Sequence, residues 1–229
     1  MEPVWINRYD EGVPSSLDYP DWTLPDLLRR SAKRFPRSPA LWFYGRRITF
    51  SELEQLTTNF AFVLKSFSVA PGDRVTLMLP NLPQTLICYY GALKAGAVVV
   101  QTNPLYVTSE IEQQLLDTGS ETMVALDLFY PRIHSALDHT PLKRIILTSV
   151  GDFLPPLRRL LYPLQSRIRG RWIRVPRRSP VHDLPTLLQG VQRLPENHSG
   201  GLPSGHPDDI ALLQYTGGTT GTPKGVMLS

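Results

Sequence analysis

Cysteine is almost missing from this 229-residue chain: Cys88 is the only one, which excludes an intramolecular disulfide. Its setting, "LICYYGAL", holds no histidine or second thiol and reads as a small buried hydrophobe in a reducing compartment. No apolar run approaches the roughly 20 residues that span a bilayer. The opening "MEPVWINRYDEG" is polar and acidic, without the apolar core of a signal peptide. The five histidines, His134, His139, His182, His198 and His206, are scattered without metal-ligand spacing. They read as surface or loop residues, and no metal ligand is assigned. There is no internal repeat. Acids are missing from one long stretch: between Phe153 and His182 stand Arg158, Arg159, Arg167, Arg169, Arg171, Arg174, Arg177 and Arg178, with no Asp or Glu. Removing those eight from 24 basic residues leaves 16 against 20 acidic ones, so the rest of the chain carries about −4. The basicity is one local patch.

What is present fits a folded α/β protein. A hydrophobic share of 41% and a charged share of 19% exclude a disordered chain. "TLPDLLRRSAKRF" (Thr23–Phe35) predicts a helix, and "ALWFYGRRITF" two short strands turned at Gly45. Thr49 and Glu52 form a capping-box pattern that opens a second helix carrying Leu53, Leu56, Phe60, Val63, Leu64 and Phe67. "RVTLML" (Arg74–Leu79), "AVVVQ" (Ala97–Gln101), "TMVAL" (Thr122–Leu126) and "RIILTS" (Arg144–Ser149) predict strands. Between them lie predicted helices at Leu82–Lys94, at a second capping box of Ser109 and Glu112 running to Asp117, and at "LFYPRIHSAL". Gly119 supplies a helix stop. Alternation with short connections predicts a mostly parallel sheet with helices on both faces. After Gly151 the pattern breaks into a proline-rich segment, and Glu196–Asp209 is a loop by composition.

A strand, "IALLQY" (Ile210–Tyr215), leads into "TGGTTGTPKG". Gly217, Gly218, Gly221 and Gly225 allow tight turns and close approach of a ligand. Exposed backbone N–H groups there make an anion-binding concavity. Thr216, Thr219, Thr220 and Thr222 add hydroxyls, Pro223 fixes its own φ, and Lys224 adds a point charge suited to phosphate. These residue types together describe a polyphosphate cradle. It is not the common P-loop, because Lys224 precedes Gly225 instead of Ser or Thr, and no Gly-x-Gly-x-x-Gly fingerprint is present. The bland alternative is a plain Gly/Thr hairpin. "VMLS" is expected to form a strand paired with Ile210–Tyr215.

"YTGGTTGTPKG" resembles the phosphate-binding loop of the AMP-forming acyl-CoA synthetases, the adenylate-forming family that includes 4-coumarate ligases, luciferases and nonribosomal-peptide adenylation domains. "LLQYTGGTTG", "TNPLYVTSEIEQQLLDTGS" (Thr102–Ser120) and the Leu/Pro/Arg segment after Phe153 look most like the bacterial long-chain fatty-acid CoA ligases. The resemblance runs from "YPDWTLPDLL" onward. It implies the N-terminal part of the adenylate-forming large domain: one partial AMP-binding domain over residues 1–229, with the family's C-terminal domain falling past Ser229. It implies a reaction of fatty acid, ATP and coenzyme A, through an acyl-adenylate, with Mg²⁺ as the family's metal. Thr216, Gly217, Gly218, Thr219, Thr220, Gly221, Thr222, Pro223 and Lys224 would hold the phosphates. Most contacts to adenine, Mg²⁺ and coenzyme A would lie past Ser229, no catalytic residue is assigned, and the 229-residue chain is expected to be inactive alone. The alternatives are a fragment of an aryl- or medium-chain acyl-CoA ligase and a truncated lipid- or nucleotide-binding protein without catalysis.

Leu157, Leu160, Leu161, Leu164, Ile168 and Trp172 fall at helical spacing among the arginines. Two readings stand. One is peripheral contact with an anionic membrane through residues 153–180. The other is a solvated loop packed on the domain by its leucines, with Pro163 against a continuous helix. Nucleic acid is not an expected partner, and the expected location is cytoplasmic, with peripheral membrane contact as the alternative.

Overall fold

The computed structural model describes residues 4–170, 173, 175–176, 179–192, 201–203, 205–216 and 223–229. Helix α1 (Leu24–Arg34) opens at Thr23, whose hydroxyl and backbone engage Asp26 in a capping box. Strands β1 (Pro39–Phe43) and β2 (Arg46–Thr49) form a separate antiparallel hairpin turned at Tyr44 and Gly45. Helix α2 (Phe50–Ser66) starts on the expected Thr49–Glu52 box: the Thr49 N–H donates to Glu52 Oε2 at 2.7 Å, and the Glu52 N–H donates back to Thr49 Oγ1.

The chain then alternates as expected: β3 (Arg74–Met78), α3 (Pro83–Lys94), β4 (Val98–Gln101), α4 (Thr108–Thr118), β5 (Thr122–Leu126), α5 (Tyr130–Ala136) and β6 (Arg144–Thr148). Helix α4 begins earlier than the Ser109–Glu112 pattern implies. Its N-cap is Val107, whose N–H donates to Glu110 Oε2 at 2.8 Å. A valine cap offers no side-chain acceptor, so the true start carries only half of the sequence signature. At the other end Gly119 adopts φ +60°, the left-handed conformation expected of a helix stop. Arg74 from β3 donates to the Thr118 and Gly119 carbonyls, placing a cation on the negative end of α4.

Past Gly151 the pattern does not dissolve. Helix α6 (Pro156–Ile168) forms with Pro163 inside it, followed by β7 (Val181–Asp183), α7 (Leu184–Gln192), β8 (Leu212–Thr216) and β9 (Lys224–Leu228). The second half of α6 accommodates Pro163 because the lost N–H is one bond in 13 residues. The sheet order is β7-β6-β5-β3-β4-β8-β9, parallel throughout except for β9, which pairs antiparallel with β8 as expected for "VMLS".

Alternate strand residues divide the core. Val75, Leu77, Val124, Leu126 and Ile146 face α2, α3 and α7. Met78, Met123, Ala125, Ile145 and Leu147 face α4 and α5. Near-continuous apolar strands are what a doubly covered parallel sheet needs. Cys88 is fully buried in the first layer, as expected, and burial pushes its thiol well above the ordinary range, so it is a poor nucleophile.

The tightest helix contact is α2 against α3. Lys94 Nζ sits 2.7 Å from Glu54 Oε1 and also donates to the Thr57 and Thr58 hydroxyls. Burial lowers the Lys94 pKa, and the Glu54 carboxylate opposes that shift. One turn earlier, a Cβ on Gly91 would lie 2.7 Å from the Thr57 carbonyl oxygen and 2.8 Å from the Phe60 ring. Gly91→Ala should therefore push the helices apart and cost about 1–3 kcal/mol. Urea unfolding checks this; an unchanged midpoint would show that the two helices yield without cost.

Candidate functional site

Strand β8 carries Thr216 to the carboxyl end of the sheet, and β9 brings the chain back starting at Lys224. Thr216 and Lys224 are direct cross-strand partners, so their side chains share one face of the ribbon. Both are exposed, and Thr216 Oγ1 lies 3.5 Å from the Lys224 carbonyl oxygen. Pro223 is half-buried just before β9. The structure thus brings Thr216, Pro223 and Lys224 together at the loop's base. Gly217, Gly218, Thr219, Thr220, Gly221 and Thr222 lie outside the described residues.

The base is tied down from below. The Tyr215 hydroxyl donates to Asp117 Oδ2 on α4, a link between elements far apart in sequence. Burial, then the Asp117 carboxylate, raises the Tyr215 pKa well above the ordinary phenol range. Its ring covers Gly225, where a Cβ would lie 3.1 Å from ring carbons, so no side chain fits at that position without a shift. Tyr106, Glu110, Gln113, Gln114, Asp117, Tyr215 and Pro223 enclose a small cavity of about 90 Å³ under the hairpin.

The Thr102–Tyr106 turn reaches the same place. Thr102 Oγ1 donates to Gln114 Oε1 at 2.7 Å, and Gln114 Nε2 donates to the Gln101 carbonyl. Arg132 holds the Pro104 carbonyl at 3.1 Å. The apolar residues of this turn divide: Leu105 is 82% exposed, whereas Tyr106 is half-buried, packed against the core layer under α4 and α5 and lining the cavity. Polar side chains hold the rest of the turn in place.

A larger cavity, about 650 Å³, opens at the carboxyl ends of β5, β6 and β7. Ligands commonly bind at that end of a parallel sheet. Asp127, Thr148, Ser149, Asp152, His182 and Asp183 line it. His182 belongs to β7, half-buried with its ring tilted 49° to the Phe67 ring at a centroid distance of 4.7 Å, and is neither a surface nor a loop residue. Burial lowers its pKa, and the Arg144 charge adds to that. The short apolar-polar stretch around it gave no strand signal, being only three residues long. His134, His139 and His206 are exposed, as expected, and His198 lies outside the described residues. Among the described residues no three His, Cys, Asp or Glu side chains are grouped to hold a metal ion.

Asp152 accepts from Thr148 Oγ1 and the Ser149 N–H, each at 2.7 Å, and burial still raises its pKa. Burial pushes Asp127 up to about 6, and the Asp152 charge adds to the rise. Asp127 therefore takes up a proton on folding between its free value of 3.8 and about 6. Its contribution favours the fold below that window and is lost as pH rises through it. Asp127→Asn keeps an acceptor for the Leu128 N–H and removes the charge. It should stabilise the fold by about 1–3 kcal/mol near pH 7.5 and change little near pH 4. Urea titrations of both proteins at the two pH values check this; an equal effect at both would mean the charge is already solvated.

Comparison with known proteins agrees with the sheet. The family model described as AMP-binding enzyme matches residues 28–229. A long-chain-fatty-acid–CoA ligase of Bacillus subtilis (strain 168) is 40% identical over 226 residues, covering 98% of this chain and 40% of the relative. The enzyme of the same name from Escherichia coli O157:H7 is 35% identical over 237 residues, covering 100% and 40%. The chain thus spans about 40% of the length of the curated relatives it matches. Among solved structures, a long-chain-fatty-acid-CoA ligase from Archaeoglobus fulgidus superposes with a TM-score of 0.69 at 25% identity, covering 97% of this chain and 39% of that one. An anthranilate CoA ligase in complex with anthranoyl-AMP shares the fold, with a TM-score of 0.72 at 22% identity over 90% of this chain and 34% of that one. With a family match over residues 28–229 and the loop base built from Thr216, Pro223 and Lys224, this chain belongs to the AMP-binding enzyme family as the N-terminal portion of the adenylate-forming fold.

Proposed function

We propose that this chain is the N-terminal part of a long-chain fatty-acid CoA ligase. In that reaction a fatty carboxylate attacks the α-phosphorus of ATP, giving acyl-adenylate and pyrophosphate. The acyl group then passes to coenzyme A, and AMP leaves. The observation that carries the reading is the β8–β9 hairpin bearing "YTGGTTGTPKG", with the Lys224 ammonium exposed beside Thr216 at the carboxyl end of the sheet. Similarity over essentially the whole chain to long-chain-fatty-acid–CoA ligases, at 40% and 35% identity, favours a long aliphatic acid.

In this reading the loop Thr216 to Lys224 holds the β- and γ-phosphates. Preset backbone N–H and hydroxyl donors meet charge that grows on pyrophosphate as it departs, and Lys224 is the charged member of that set. The Tyr215–Asp117 link and the close ring contact over Gly225 support this reading by tying down the loop's base. Mg²⁺ and coenzyme A enter by family alone, and no described residue is assigned to either. A cytoplasmic location, with peripheral contact between residues 153–180 and an anionic membrane, belongs to the same proposal. Such contact suits a substrate that partitions into lipid. Among the described residues no helix is long and apolar enough to cross a membrane.

The test is Lys224→Ala in this sequence extended to the length of its relatives. Adenylation, followed by pyrophosphate exchange with palmitate, should fall about a hundredfold, roughly 3 kcal/mol. Thioester formation from pre-made acyl-adenylate should fall far less, since no pyrophosphate takes part. An equal loss in both half-reactions would mean that Lys224 supports the fold instead.

A further inference from the structure

Helix α6 is mounted with its apolar face outward. Ser166 is buried, and the Tyr162 ring packs so closely on Gly151 that a Cβ there would lie 2.6 Å from it. That side of the helix meets the domain. Leu157, Leu160, Leu161, Leu164 and Ile168 recur at i, i+3, i+4, i+7 and i+11, one continuous stripe. They are 54–78% exposed. A surface helix ordinarily turns such a stripe to the core. Scattered exposed leucines need no explanation, but five in one stripe form a contiguous patch that marks an interaction site. This overturns the expectation that the leucines pack the segment onto the domain.

The charges around the stripe say what covers it. Arg158, Arg159, Arg167 and Arg169 lie on the helix or at its C-cap, and no acid occurs between Phe153 and His182. Beside the stripe, Arg46, Leu154, Pro156, Arg159, Leu160 and Pro163 line an open groove of about 700 Å³. Arg46 comes from β2, so two distant parts of the chain bring guanidinium groups to one groove. Burial lowers the Arg46 pKa, the nearby Arg159 charge adds to that, and Glu52 opposes it. A second copy of the chain would set this positive face against itself, which is unfavourable. An anionic headgroup against the arginines with acyl chains against the leucines satisfies both halves.

We propose that the leucine face of α6, with the Arg46–Arg159 groove beside it, docks on a lipid bilayer carrying anionic headgroups. This deepens the peripheral contact included in the proposed function. Docking is read without catalysis, so it can fail while the ligase reading stands, and the reverse.

The test is sedimentation of the 229-residue chain with vesicles of phosphatidylcholine alone or mixed with phosphatidylglycerol. Binding should be at least about tenfold stronger to the mixed vesicles and should be released by high salt. Leu160→Asp with Leu164→Asp should weaken binding by about tenfold or more, and both positions are exposed enough for the fold to survive. Arg46→Gln with Arg159→Gln should narrow the difference between the two vesicle types. As a site-specific readout, Leu164→Cys can carry an environment-sensitive dye, because Cys88 is buried. Its emission should shift to the blue on mixed vesicles. Equal binding to both vesicle types would overturn the proposal, as would unchanged binding of the leucine variant. So would a leucine variant that turns a dimer into a monomer and still binds vesicles, since the face would then be an interface between copies.

Discussion

The loop end of the molecule rests on one strand pairing. Val99 to Gln101 of β4 pair in parallel with Leu212 to Gln214 of β8, and the Val99 N–H donates to the Ala211 carbonyl at 2.9 Å. These segments are far apart in the chain, so the pairing closes a long loop and its entropy cost is met only by the rest of the sheet. With β8 fixed, Thr216 must emerge at the carboxyl end, β9 must return alongside it, and Tyr215 must reach Asp117 on α4. The parallel direction of β8 therefore fixes which end of the sheet Thr216 and Lys224 occupy. Reversing it would put the Gly/Thr loop at the opposite end, away from the Thr102–Tyr106 turn.

The two faces of the sheet do different work. On one, α2 and α3 approach until only glycine fits at position 91, and the Lys94–Glu54 pair locks their registration. One Glu54 oxygen and the Gln84 carbonyl oxygen stay buried without a partner, a cost that the dense packing around them must offset. On the other face, α4 supplies Asp117, Gln114 and Glu110 around the hairpin's underside. The first layer is densely packed, and the second lines the cavity under the hairpin with polar side chains.

Much of this was legible beforehand, for physical reasons. Apolar strands between amphipathic helices leave few solutions, so the parallel sheet followed from alternation. Caps written in side-chain chemistry, such as Thr49 with Glu52, were readable. The cap written in backbone conformation at Val107 was not. The Gly/Thr/Lys loop was conspicuous because ordinary hairpins do not concentrate those residue types. The periodicity of α6 was visible, but periodicity defines a stripe without saying which way it points. That direction depends on Tyr162 and Ser166 meeting Gly151 and the large cavity, a tertiary matter. The cavity itself joins Asp127, Asp152 and Asp183 from three successive crossings of the sheet, and no local pattern announces such a meeting.

The sheet's two rims are unequal. At one rim β7 is only three residues long, too short to template much pairing. At the other, β9 is five residues long, exposed throughout, with Val226, Met227 and Leu228 in its outer half and no Pro to interrupt it. Among the described residues it is hydrogen-bonded on one side only, to β8. Among the described residues the edge at β7 is thus short, and the edge at β9 is the longer one, starting at Lys224 beside the Gly/Thr loop.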